Sequence, residues 1–146
     1  MNRFPLLIMM VLVALCWIVN WIFPLPLGFG LAGKVAGLMV ILVGLFLLII
    51  AVVAFMDRKT TVMPTRSPDN LVTDGIYRIS RNPMYLGMLM ILCGFPLMMD
   101  TVVGLICPAI FFFLMDRTLI PREENVVENV FGKSYLAYKS RTRRWF

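Results

Sequence analysis

Residues 31–56 read LAGKVAGLMVILVGLFLLIIAVVAFM. Apart from Lys34 near its start, the run carries no charge. About 18 or more apolar residues in a row suffice to cross the hydrocarbon core of a bilayer as a helix. A helix keeps all its backbone hydrogen bonds within the segment, which is what a medium without water demands. This run sets the fold class: an all-α integral membrane protein. Glycines 33, 37 and 44 include a small-xxx-small spacing that lets a neighbouring helix approach closely, although glycine is common in membrane helices in any case.

Working outward, residues 4–23 (FPLLIMMVLVALCWIVNWIF) form a second run of spanning length, with Trp17 and Trp21 placed for an interfacial aromatic belt. The following PLPLGFG offers no small-residue cleavage site, so a retained helix is expected here and not a signal peptide. On the other side, residues 57–83 are polar and broken by Pro64, Pro68 and Pro83. A third apolar run, 84–99, is short for a full crossing. The turn Met99-Asp100-Thr101 leads from it into a fourth run, 102–120, so these two read as a tight helical hairpin. From Pro121 the chain is polar and basic; Val126, Val127, Val130 and Phe131 at helical spacing suggest an amphipathic helix lying against the membrane. The expected architecture is a single membrane domain, 1–146, with about four transmembrane helices (4–23, 31–56, 84–99 and 102–120), a loop at 57–83 and a tail at 121–146. The composition agrees: 60% hydrophobic and 15% charged, against about 45–50% and 25% for soluble domains.

Four crossings bring both ends and the central loop to one side. All of the 14 lysines and arginines except Lys34 then fall on that side: Arg3, the loop bases Arg58, Lys59, Arg66, Arg78 and Arg81, and those from Arg117 to Arg144. The positive-inside rule makes it the cytoplasmic side of an inner or plasma membrane. The net charge of +6 lies next to apolar runs, so anionic lipid headgroups are the expected partner and nucleic acid is not. Cys16, Cys93 and Cys107 all sit in apolar runs without CxxC spacing and read as small buried residues. With no histidine in the chain, the commonest metal ligand and the usual general base are missing; no metal site is expected.

Two polar segments flank the hairpin. Residues 75–87, GIYRISRNPMYLG, enter the third helix. Pro83 suits a first helical turn, where its missing N–H is harmless, and Asn82 before it is a plausible N-cap. The positive end of that helix, with Arg78 and Arg81, would favour a nearby anion; an interface anchor made of Arg and Tyr is the competing reading. Pro121-Arg122-Glu123-Glu124 follows the fourth run. Its carboxylates could open a solvated helix or receive a cationic ligand. Asp116 and Arg117, near the hydrocarbon edge, are costly there and so suggest function, or else they pair with each other.

The stretch LVTDGIYRISRNPMYLG (71–87), then PREE (121–124), then FGKSYLAYKSRTRRW (131–145) resembles the isoprenylcysteine carboxyl methyltransferase family, which is related to the phospholipid N-methyltransferases. The shared pattern is G-x-Y-R-x-x-R-H/N-P-x-Y-x-G, a helical hairpin, a Glu-Glu pair, and F-G-x-x-Y-x-x-Y with a basic-aromatic tail. It covers roughly residues 58–146. The resemblance implies a membrane enzyme using S-adenosylmethionine and a hydrophobic or lipidated acceptor. It assigns Arg81, Asn82, Pro83, Tyr85, Gly87, Glu123 and Glu124 to the cofactor pocket, with Tyr135, Tyr138 and Arg144 from the tail. Arg81, Asn82 and Tyr85 are the implied catalytic residues. Where many relatives have histidine this chain has Asn82, which forms hydrogen bonds but does not titrate near neutrality.

No imidazole is needed if the acceptor is already ionised, so a carboxylate such as that of an isoprenylcysteine is the favoured acceptor. A neutral amine, as in a phospholipid N-methyltransferase, would also serve, whereas a thiol would need activation. A small transporter would normally carry an ionisable residue mid-membrane, and the first three runs show none. A non-catalytic scaffold and a related membrane reductase are the remaining rivals to a methyltransferase. No G-x-G-x-x-G follows a strand, which excludes a soluble-type methyltransferase domain.

Overall fold

The computed structural model describes residues 4–57 and 71–145. It is largely helical, and the described residues contain no strand, only an isolated bridge between Pro26 and Thr101. The helices are α1 (Phe4–Ile22), α2 (Gly30–Asp57), α3 (Pro83–Met98), α4 (Ile106–Leu114), α5 (Ile120–Phe131) and α6 (Lys133–Arg141). Short 3-10 turns at Gly75–Arg78 and Val103–Leu105 introduce α3 and α4, and a π-helical turn, Met115–Leu119, joins α4 to α5. Among the described residues, three helical stretches are long and apolar enough to cross a membrane: Phe4–Ile22, Gly30–Met56 and Val103–Phe131. At 16 residues, α3 extends about 24 Å at the usual rise of ~1.5 Å per residue, short of a full crossing as its sequence indicates. Arg3, Arg58, Lys59 and Arg66 lie outside the described residues.

α3 is the central element, packed against α1, α2 and α4. Its residues Pro83 to Met88 are all buried, whereas α1 and α2 expose most of their large apolar side chains, as lipid-facing helices do. The glycines of α2 account for the close fit with α3. A Cβ on Gly44 would lie 2.7 Å from the Gly87 carbonyl oxygen, and one on Gly87 would lie 2.7 Å from that of Gly44. Leu12, Cys16, Tyr85, Met88, Leu92, Cys107, Phe111, Met115 and Ile120 form one core cluster, where the free Cys16 and Cys107 are small apolar fillers.

The helical path does not end at residue 120. It continues to Phe131, so Glu123 and Glu124 lie on a helix running on from the fourth apolar segment and not at a fresh start beyond it. The π turn explains why Pro121 is tolerated. The Ile120 N–H bonds back five residues to the Met115 carbonyl, and the Thr118 hydroxyl donates to the Leu114 carbonyl. The missing N–H of Pro121 therefore falls just after a register change, at the first turn of α5. On α5, Val126 and Val130 are exposed while Val127 and Phe131 are half-buried.

Candidate functional site

The polar segments meet at the end of the bundle where α2 finishes and α3 begins. Gly75, at φ +58°, starts the 3-10 turn, which buries Tyr77. The Tyr77 hydroxyl donates to the Ala51 carbonyl of α2 at 3.4 Å, and the Tyr138 hydroxyl of α6 donates to the Tyr77 carbonyl at 2.6 Å. Residues 80–82 then face residues 143–145. The Arg81 N–H donates to the Arg143 carbonyl at 2.9 Å. The Ser80 hydroxyl and the Asn82 side-chain amide donate to the Arg144 carbonyl at 3.0 and 3.3 Å.

Asn82 occupies the N-cap position of α3, but its side chain makes no capping hydrogen bond. The capping role expected from sequence is thus corrected: the amide is spent on the tail, and the Asn82 N–H is held by the Ser80 hydroxyl at 3.1 Å. Pro83 sits in the first turn, as anticipated.

The two adjacent glutamates have different partners. Glu124 is buried, at 7% exposure, and is shared by two guanidinium groups. Arg81 Nη2 lies 3.2 Å from its Oε1, and Arg144 Nη2 lies 2.8 Å from its Oε2. Glu123 accepts a hydrogen bond from the Tyr85 hydroxyl at 2.9 Å. The Arg81 side chain is only 10% exposed, and among the described residues its Nε and Nη1 have no hydrogen-bond partner. A buried guanidinium with idle donors is expensive, and these two donors, on different edges of the group, are available to acceptor atoms of a ligand.

Arg81, Asn82, Pro83, Tyr85, Glu123, Glu124 and Arg144 are therefore brought together. Tyr135 is buried close enough to sense the charges of Glu124 and Arg81, and its hydroxyl pKa is pushed up to about 12, chiefly by burial. Burial also raises Tyr77 and Tyr138. All three remain neutral donors near neutrality and cannot serve there as bases. The hydrogen bond to Glu124 raises the Arg144 pKa further and fixes its charge. Gly87 is not part of this cluster; its surroundings are those of the α2–α3 contact. Among the described residues no group of three or more His, Cys, Asp or Glu could hold a metal.

Ser80, Asp116 and Trp145 belong to the cluster and were not placed there from sequence. Asp116 Oδ1 accepts from Arg144 Nη1 at 3.0 Å and from Trp145 Nε1 at 2.9 Å. The available signal was its cost at a hydrocarbon edge; its partners lie far along the chain and left no local pattern.

The family model for phospholipid methyltransferase matches residues 32–134. Protein-S-isoprenylcysteine O-methyltransferase B of Arabidopsis thaliana is 30% identical over 107 residues, or 72% of this chain and 54% of the plant protein. The chain thus spans about half the length of that relative. An uncharacterized protein of Haemophilus influenzae is 36% identical over 62 residues, or 42% of this chain and 98% of the bacterial one. No solved structure matches the chain.

Proposed function

The chain belongs to the phospholipid methyltransferase family, and from that premise we propose that it is an integral membrane enzyme transferring a methyl group from S-adenosylmethionine to a lipidic acceptor. The observation that carries this reading is the pair of buried donors on Arg81 that have no partner among the described residues, on a guanidinium paired with Glu124, whose chain neighbour Glu123 accepts a hydrogen bond from a tyrosine hydroxyl. A zwitterion with an additional positive charge needs both kinds of group. S-adenosylmethionine, when bound, supplies a methyl group on a sulfonium, together with an ammonium and a carboxylate.

Each residue has a definite task in this reading. Arg81 donates from Nε or Nη1 to the carboxylate, helped by the positive end of α3. Glu123, oriented by Tyr85, receives the ammonium or the ribose hydroxyls. Glu124 and Arg144 hold the Arg81 guanidinium in place. Methyl transfer is an in-line displacement that depends mainly on positioning. Asn82 cannot titrate near neutrality, and the neighbouring tyrosines are held neutral, so the acceptor must arrive already nucleophilic. A carboxylate such as that of an isoprenylcysteine meets this condition and is the favoured acceptor; the unprotonated amine of a phospholipid is the second reading, supported by the family match.

The acceptor's apolar part would come sideways from the bilayer. An open groove of about 570 Å³ between α1 and α3, lined by Met9, Met10, Val13, Trp17, Ile91 and Phe95 among others, is suitably apolar. Its first α3 residue, Ile91, lies about 9 Å along the helix from Tyr85 at ~1.5 Å per residue. We place the site and both ends of the chain on the cytoplasmic face of an inner or plasma membrane, with the exposed valines of α5 against the lipid surface.

Calorimetric titration of the detergent-purified protein with S-adenosylmethionine, and separately with NADPH, tests the reading. Binding of the first and not the second is expected, and Glu123→Gln should weaken it roughly ten- to a hundredfold, as for loss of one charge-assisted hydrogen bond. A parent protein that ignores S-adenosylmethionine refutes the proposal; one that binds NADPH instead points to a reductase.

A further inference from the structure

Arg144 is the bridge of the polar cluster. Its Nη2 reaches Glu124 Oε2 at 2.8 Å, while its Nη1 reaches Asp116 Oδ1 at 3.0 Å. The same Asp116 oxygen accepts the Trp145 indole N–H at 2.9 Å. The Trp145 ring in turn rests on Phe112, with centroids 5.1 Å apart and planes inclined at 37°. Phe112 lies four residues before Asp116 and so shares its side of the helix. Together these contacts pin residues 144 and 145 to the α4–α5 helix, while the carbonyls of Arg143 and Arg144 hold Ser80, Arg81 and Asn82.

The π turn makes the bridge possible. In an unbroken α-helix, residues eight apart differ in direction by ~80°, whereas residues seven apart differ by only ~20°. A π turn absorbs roughly one residue of rotation, so Asp116 and Glu124, eight positions apart, come onto one face. One guanidinium then reaches both.

We infer that Asp116 is a positioning residue: acting through Arg144 and Trp145, it clasps residues 143–145 over the head of α3 and thereby fixes Glu124 and Arg81 for the ligand. This rests on the reading that Arg81 and its neighbours hold S-adenosylmethionine. The side-chain hydrogen bonds of Asp116 run to Arg144 and Trp145; its other oxygen lies 3.8 Å from Nε of the exposed Arg117, a pairing worth little at a surface, so its effect on binding passes through the clasp.

The test uses a Trp17→Phe/Trp21→Phe background, in which Trp145 is the remaining tryptophan, and reads Trp145 emission, thermal unfolding in detergent and S-adenosylmethionine affinity. Asp116→Asn should shift Trp145 emission to the red and weaken binding roughly tenfold, as for loss of one hydrogen bond to a charged group. Combined with Arg144→Met it should weaken binding no further than Arg144→Met does, since both act through one bridge. Trp145→Phe keeps the aromatic contact and removes the N–H; a smaller, few-fold loss is expected, and this variant serves if Asp116→Asn unfolds. A shifted emission or lowered melting point with unchanged affinity makes Asp116 merely structural and overturns the inference, as does an unshifted emission. If the background protein binds no S-adenosylmethionine, both the inference and the proposed function fall, and Trp145 emission still tells whether the clasp exists.

Discussion

Glu123 and Glu124 are neighbours in sequence with different surroundings, because successive residues on a helix point about 100° apart. Glu124 compensates two guanidinium groups in a nearly dry setting. Removing one member of such a group strands the others and typically costs about 3–5 kcal/mol. Glu124→Gln should accordingly lower stability by about 3 kcal/mol, a figure kept at the low end because Arg144 is 30% exposed. Thermal unfolding in detergent measures this, and a melting point equal to the parent's would show that the arginines do not depend on Glu124. Glu123→Gln should melt near the parent temperature while losing cofactor affinity. The pair was legible in the sequence as two adjacent carboxylates, but their different partners were not, because one chain read without its fold does not show which of two adjacent side chains turns inward. Asn82→Ala removes one neutral hydrogen bond to the Arg144 carbonyl and should cost about 0.5–1.5 kcal/mol in the same melting experiment; a loss of several kcal/mol would mean that Asn82 does more than hold the tail.

The helices themselves were largely readable, because a bilayer leaves a segment of 18 or more apolar residues few other ways to satisfy its backbone. α1 and α2 lie within a residue of the expected bounds at most ends, and α2 already displayed the glycines it uses. The extension of the fourth segment through Pro121 was not readable. Proline usually ends a helix, and the π turn that accommodates it arises from a register change with no sequence signature of its own. Gly87 lies at the α2–α3 contact, and a glycine that approaches a ligand and one that approaches a helix look alike in a motif. The two roles separate experimentally. Gly87→Ala and Gly44→Ala each force a methyl group onto the partner backbone and should each cost about 1–3 kcal/mol, the range for overpacking. Matched losses in melting temperature with unchanged S-adenosylmethionine affinity support the helix contact, whereas a loss of affinity confined to Gly87→Ala argues for a cofactor role.

On the scale of the whole molecule, the charge distribution and the site geometry bear on one question, the side from which the proposed cofactor would arrive. At 28 residues, α2 is about 42 Å long at ~1.5 Å per residue, more than the ~30 Å of a hydrocarbon core, so residues 28 and 66 should lie on opposite faces. The Arg81–Glu124–Arg144 cluster sits at the residue 57 end of that helix, since Tyr77 is anchored on Ala51 and Tyr138 on Tyr77. Lys34 lies at the other end, near the loop stitched by Leu27 and Phe29 to Asp100. Reversing the molecule would place the basic tail on the translocated face, against the bias that orients membrane proteins. It would also separate the site from the cytoplasm, where S-adenosylmethionine would have to be met. Reporter fusions at residue 28 and residue 66 should therefore report translocated and cytoplasmic locations, respectively. The same location at both would mean that α2 does not span, and the reverse pair would overturn the cytoplasmic site while leaving the helical fold intact.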